Sequence, residues 1–257
     1  MWLISRLFLV FLGITFIAAL SLWLMVPSTE EIRGCLTTKM HKVHLCPGSK
    51  DYVPLNSISK YLRIAVVLTE DSKFWQHNGF DWETIVILVK EAWKTGKTRR
   101  GGSTITQQLA KNMFLTSEKT IKRKVVEALI AWRLEQNLSK KEILERYLNV
   151  IEFGPGVYGI LKASAFYFGK APSDLDAVES AFLAMVLPNP KKYSHSHKKK
   201  ELTPFARRRL LEILSLMKNT RHLTEQDYHQ ALQKVDSLFS ESGNEEPPEQ
   251  EEDWSFF

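Results

Sequence analysis

From Tyr61 to Phe239 the apolar residues return at helical spacing in one segment after another, and alternating strand patterns are nearly absent. Amphipathic or apolar runs cover 61–71, 82–93, 103–115, 120–137, 157–168, 175–187, 204–217 and 224–239, with no internal repeat among them. Ser139 with Glu142 three residues later makes a capping-box pattern that opens one more helix, to Asn149. This pattern predicts a mainly α single domain at 61–239. Small irregular or β pieces are expected only in loops such as Phe153-Gly154-Pro155-Gly156. Asp51–Ser59, polar and holding Pro54, reads as a linker.

Ahead of that domain, Leu7–Val26 is a run of 20 residues without a charge. As a helix rising ~1.5 Å per residue it is long enough to cross the ~30 Å hydrocarbon core of a bilayer. A cleaved signal peptide would want a shorter apolar core and a small-x-small site, whereas Ser21-Leu22-Trp23-Leu24-Met25-Val26 stays bulky to the end. The expected layout is a cytoplasmic N-terminus at 1–6, a transmembrane anchor at 7–26 and a juxtamembrane linker at 27–60. Arg6 before the span, with Glu30 and Glu31 after it, favours a body outside the membrane.

The net charge is +6, but residues 241–257 hold seven acids and no Lys or Arg, which leaves +13 on the rest. A basic body on an anchor suits an anionic membrane surface or a phosphate-bearing substrate, and the anchor argues against nucleic acid. The acidic 240–257 tail reads as disordered, with Trp254, Phe256 and Phe257 as a candidate docking element. Cys35 and Cys46 leave three readings open: a disulfide, a zinc site shared with His41 and His44, or two thiols.

The chemistry concentrates in three places. Arg99-Arg100-Gly101-Gly102 leads into a helix capped by Ser103 or Thr104, on which Thr104, Gln108 and Lys111 share one face. A hydroxyl, an amide and an ammonium together suit a sugar or phosphate, although a solvated capped helix would look the same. Glu127 is the only charge in Val125–Trp132, one turn beyond Arg123 and beside Lys124. Such a carboxylate is costly to bury unless paired, so it is either a structural ion pair or a site residue. Glu70 ends the apolar run from Ile64, next to Asp71 and ahead of His77 and Asp81, a grouping that fits general acid–base chemistry.

These segments, taken in order, resemble the peptidoglycan glycosyltransferases of glycosyltransferase family 51. Glu70-Asp71-Ser72-Lys73-Phe74-Trp75-Gln76-His77-Asn78-Gly79-Phe80-Asp81 is similar to the first family motif, and Gly101–Asn112 to the second. Arg123-Lys124-Val125-Val126-Glu127 resembles the third and Lys140–Asn149 the fourth, while 159–170 and Leu187-Pro188-Asn189-Pro190 resemble later ones. The resemblance spans Arg63 to about Tyr193. It is to the monofunctional members, since no segment follows that is long enough for a penicillin-binding domain. Ser57-Ile58-Ser59-Lys60 and Lys94-Thr95-Gly96 echo transpeptidase motifs but lie too close together, with no third element, and read as chance.

The resemblance implies a lysozyme-like helical lobe with a small membrane-associated jaw lobe, in a bacterial inner membrane with the catalytic body on the periplasmic side. It implies polymerisation of lipid II onto a growing glycan strand, with membrane lipid and other cell-wall synthases as partners. Glu70 would be the general base, and Glu127 would assist at the donor site. Lys111, Arg123 and Lys124 would hold the departing diphosphate. Ser103, Thr104, Gln108 and Asn112 would position sugar or phosphate oxygens, Asp71 and His77 would support the base, and Glu145 and Asn149 would brace the site. No organic cofactor is implied, and a divalent cation (Mg or Mn) is left open. A glycan hydrolase or lytic transglycosylase is the rival enzyme, and a non-catalytic membrane scaffold the rival without chemistry.

Overall fold

The computed structural model describes residues 2–96 and 101–239, with side chains throughout that range except at positions 2–5, 7, 18 and 19. Met1, the Arg99-Arg100 pair and the acidic 240–257 tail lie outside the described residues. The chain begins with α1 (Trp2–Trp23) and α2 (Thr29–Arg33), then a hairpin of β1 (Leu36–Thr37) and β2 (His44–Leu45). A 3-10 turn (Leu55–Ser57) leads to α3 (Lys60–Glu70), α4 (Trp82–Thr95), α5 (Ile105–Phe114), α6 (Ile121–Asn137) and α7 (Lys140–Val150). A second small hairpin, β3 (Glu152–Gly154) with β4 (Val157–Tyr158), precedes α8 (Ile160–Phe168) and α9 (Ala177–Val186). The short α10 (Pro190–Tyr193) and α11 (His195–Lys198) are followed by α12 (Pro204–Asn219) and α13 (Glu225–Val235).

The centre is α9. Its sequence, AVESAFLAMV, is apolar on nearly every face, and all ten residues are buried, as expected for a helix surrounded by others. Its one carboxylate, Glu179, closes a capping box with Asp176 and receives Lys170 Nζ at 2.7 Å. Packed against α9 are α3 and α12, while α5 lies on α6 and α7. Local caps start several of these helices: Ser139 with Glu142 for α7, Thr120 for α6 and Thr104 with Gln107 for α5.

Three stretches differ from the sequence reading. The expected helix at 157–168 starts later, at Ile160, because Val157 and Tyr158 pair with β3. Gly159 turns at φ +80, and a Cβ there would come within 2.6 Å of the Asn149 carbonyl oxygen, so the helix cannot run straight back through it.

Residues 27–60, expected as a linker, are packed onto the body through Ile32, Leu45, Tyr52, Val53, Leu55 and Ile58, all buried. Polar anchors hold them there. Glu145 accepts from Tyr52 Oη and the Leu55 amide, both at 2.7 Å, and Asn149 exchanges two 2.8 Å bonds with the Val53 backbone. Cys35 and Cys46 are joined as a disulfide across the first hairpin, which resolves the three readings of that pair. The hairpin tip is fixed as well: His41 stacks on Tyr158, with ring centroids 4.5 Å apart, and its Nδ1 lies 3.0 Å from the phenol oxygen.

The third difference concerns the membrane. Over the described residues, no helix is long and apolar enough to cross one. Nevertheless α1 runs 22 residues and exposes Phe8, Val10, Phe11, Ile14, Phe16 and Ile17. The predicted amphipathic helix at 82–93 forms as α4 but buries none of its residues, leaving Trp82, Val86, Ile87, Val89 and Trp93 exposed. An apolar face of that kind marks an interaction surface rather than a core.

Candidate active site

Glu70 is the last residue of α3, and Asp71 caps that helix with extended backbone. Asp71 is buried and tied twice: Oδ2 accepts the Ile105 amide at 2.9 Å, and His77 Nε2 lies 2.9 Å from Oδ1. One carboxylate thereby clamps the end of α3 to the first turn of α5, where exposed amides favour negative charge. Thr104 completes the junction. Its hydroxyl donates to the Gly79 carbonyl at 2.7 Å and accepts from the Gln107 amide at 3.2 Å, so its donor serves the fold. Asn112 is likewise buried, donating to the Gln108 carbonyl at 2.8 Å.

The clamp brings Gln108 to Glu70. Gln108 Nε2 donates to Glu70 Oε2 at 2.8 Å, and Gln108 Oε1 accepts from Tyr147 Oη at 3.1 Å. Gln108, expected to face substrate, is thus bound to the candidate base. Tyr147 is wholly buried on α7, and burial pushes its phenol well above the usual range, with Glu70 and Asp71 adding to the effect. It therefore remains a donor. Since an O–H donates into one end of the amide, the other end must present its N–H to the carboxylate. Burial raises the Glu70 pKa above the usual carboxylate range, while the Gln108 bond, Arg209 and Lys111 pull the other way. A raised carboxyl that still ionises is what a general base requires. Around it lies a cavity of about 180 Å3, walled also by Asp81, Thr84 and Gly101–Thr104.

Gly101 and Gly102 have separate reasons to be glycine. At Gly101 the backbone takes φ +123, which a side chain resists, whereas a Cβ on Gly102 would come within 2.7 Å of Leu88 Cδ1.

The second carboxylate, Glu127, is 3 % exposed on α6 and held by two cations. Arg123 Nη1 lies 2.5 Å from Oε2, and Lys124 Nζ pairs with Oε1 while also reaching Ser103 Oγ at 3.1 Å. A buried carboxylate paired this way satisfies the structural reading of Glu127. The charges do not balance, however. Lys111 also feels both Glu127 and Glu70, and burial pulls its pKa below the usual lysine value, Glu127 resisting and Arg123 and Lys124 adding to the fall. Arg123 Nε is buried with no partner. Two cations thus pair with one carboxylate, and the field of a third, Lys111, reaches it, an excess of positive charge that suits an anion.

Among the described residues no three His, Cys, Asp or Glu side chains gather as a metal-binding group. Glu127 is held by Arg123 and Lys124. Beyond Arg123 a larger cavity of about 530 Å3 opens between Leu24–Pro27, after α1, and 114–126, with Lys39 and Lys122 on its walls.

Of the residues singled out from sequence, the fold joins Glu70, Asp71, His77, Thr104 and Gln108 in one network, and Ser103, Lys111, Arg123, Lys124 and Glu127 in an adjoining one. Glu145 and Asn149 brace the 52–55 segment. Tyr147 and Arg209 were not anticipated. A phenol in the otherwise apolar stripe of α7 was the available signal for Tyr147, and nothing local marks Arg209.

A sequence model of a family described as Transglycosylase matches residues 38–218. Curated relatives described as biosynthetic peptidoglycan transglycosylase include one from Nitrosomonas eutropha, 45% identical over 184 residues that cover 70% of this chain and 75% of the relative. One from Aeromonas hydrophila is 40% identical over 181 residues, with the same two shares. A third, from Methylobacillus flagellatus, is 45% identical over 156 residues, 61% of this chain and 68% of its own. The family match starts inside the disulfide hairpin and runs through α12, taking in both carboxylates and the cations between them. The chain belongs to the transglycosylase family.

Proposed function

We propose that this protein is a peptidoglycan glycosyltransferase that polymerises lipid II into β-1,4 glycan strands. The observation that carries the reading is the pairing of a buried, raised carboxylate (Glu70) with a cation cluster (Lys111, Arg123, Lys124) across α5. Glu70 takes the proton of the acceptor sugar's 4-hydroxyl. The freed oxygen attacks C1 of the donor sugar, the bond from C1 to the diphosphate oxygen breaks, and the lipid diphosphate leaves with inversion. Charge grows on the departing diphosphate, and preorganised cations at that point lower the barrier. Glu127 sets the positions of Arg123 and Lys124, and the ammonium of Lys111 is left for phosphate oxygens. Asp71 and His77 hold the base, and Ser103 stands beside Lys124 at the diphosphate.

The membrane reading rests on the apolar faces. We place α1 across the bilayer with 1–6 cytoplasmic and the body outside, and α4 as the jaw that lies against the lipid with Trp82 and Trp93 in the interface. The cavity between Leu24–Pro27 and Arg123 then gives an isoprenoid tail a path from the cation cluster toward the membrane. A glycan hydrolase has no diphosphate to hold, and the cation cluster weighs against it. Incubation of the purified protein with labelled lipid II is the test. Polymer that lysozyme digests supports the proposal; breakdown of preformed glycan, or binding without turnover, refutes it.

A further inference from the structure

A second groove, of about 370 Å3, shares Leu68 and Ser72 with the walls of the Glu70 cavity and runs away from it between α3 and α7. Its floor is apolar, with Ile64, Val67 and Leu144, and Trp75 stands over it half exposed. Its rim carries Lys60, Arg63, Lys141 and His222, and no acidic side chain lines it. The Nε of Arg63 is buried without a partner. On other faces of the body Arg207 pairs with Asp236, Arg209 with Glu212 and Lys218 with Glu225.

An occupant for such a groove needs several negative charges and a bulky apolar end. Residues 240–257 have both: seven acids, no Lys or Arg, and Trp254-Ser255-Phe256-Phe257 after them. Reach is no obstacle. The chain passes the groove rim at His222, and the 11 residues of α13 then carry it about 16 Å. From Phe239, the last described residue, the 15 residues to Trp254 span up to about 50 Å when extended. Tethering also sets a local concentration in the millimolar range, so weak complementarity is enough to populate the contact. We propose that the 240–257 segment docks in this groove, its aromatic end on the floor and its acids against Lys60, Arg63 and Lys141.

Docked there, the segment would lie against Ser72, one residue from Asp71. The proposal does not depend on the reaction assigned to the site.

The test is photo-crosslinking of the full chain carrying p-benzoylphenylalanine in place of Phe256, with the products mapped by mass spectrometry. Intramolecular crosslinks to 60–75 and 141–144 are expected, falling at least tenfold in Lys60→Glu/Lys141→Glu and weakening as salt shortens electrostatic reach. Trp254→Ser, which alters the segment and leaves the groove intact, should reduce them as well, which separates lost docking from unfolding of the charge-reversed protein. Crosslinks that map elsewhere in the chain, form only between copies or to lipid, or persist in both variants overturn the proposal. An absence of any crosslink overturns it too.

Discussion

Replacing Gln108 by Met removes the one hydrogen bond that the carboxylate of Glu70 receives from α5, at 2.8 Å. A hydrogen bond to a charged acceptor is worth about 1.5–3 kcal/mol, and about 1.4 kcal/mol is a factor of ten. The balance between carboxylate and carboxyl at Glu70 should therefore move roughly ten- to hundredfold toward the carboxyl. Because burial already raises this group, the acid limb of the pH–rate profile should move further up. Polymerisation should fall roughly ten- to hundredfold on that limb and recover on the alkaline side. Tyr147→Phe should move the limb the same way by less, because the amide is then free to turn its oxygen toward the base. Tyr147 is wholly buried, so it cannot act by touching substrate. The assay is the initial rate of lipid II consumption from pH 5 to 9, with circular dichroism on each variant. If Gln108→Met loses the same factor at every pH, Gln108 acts on substrate and its assignment to the base is wrong.

Lys111→Met should lower the polymerisation rate by about 10²–10³-fold, the usual cost of losing one preorganised group at a developing charge, with Lys111→Arg retaining part of it; equal rates in all three proteins would remove Lys111 from the diphosphate site. Glu70→Gln should raise the melting temperature at neutral pH. The folded-state pKa of Glu70 is raised, so its stabilising share is present below the ordinary glutamate range and lost as pH rises through the folded value. The gain should vanish at acid pH, and a gain independent of pH would contradict the burial assigned to the group. Cys35→Ser, which opens the hairpin bridge to Cys46, should cost about 2–3 kcal/mol in denaturant unfolding. An unchanged midpoint would mean that strand pairing, the buried Leu45 and the Tyr158 contact hold the hairpin without the disulfide.

Much of the fold was legible because its signals are local. Caps such as Ser139 with Glu142 sit three residues from what they cap, and the mostly apolar run at 175–187 reads as a helix from its own composition. What escaped depends on distant partners. The 27–60 stretch looks polar, yet Glu145 and Asn149 on α7 supply the hydrogen bonds that let Tyr52, Val53 and Leu55 enter the core. Gln108 reads from sequence as a substrate-facing amide, and only α3 and α7, brought in by Asp71, give it Glu70 and Tyr147 as partners. The site carboxylates and cations were visible as charges out of place, but their division into a base network and a cation cluster needed the packing of α5 between them.

The central claim is that Glu70 removes the acceptor proton while the cation cluster receives the leaving group. Purified Glu70→Gln protein, shown to be folded, should bind labelled lipid II and form no polymer that lysozyme can digest, while the unaltered protein forms it under the same conditions. Polymer formed by Glu70→Gln at the unaltered protein's rate would contradict the account.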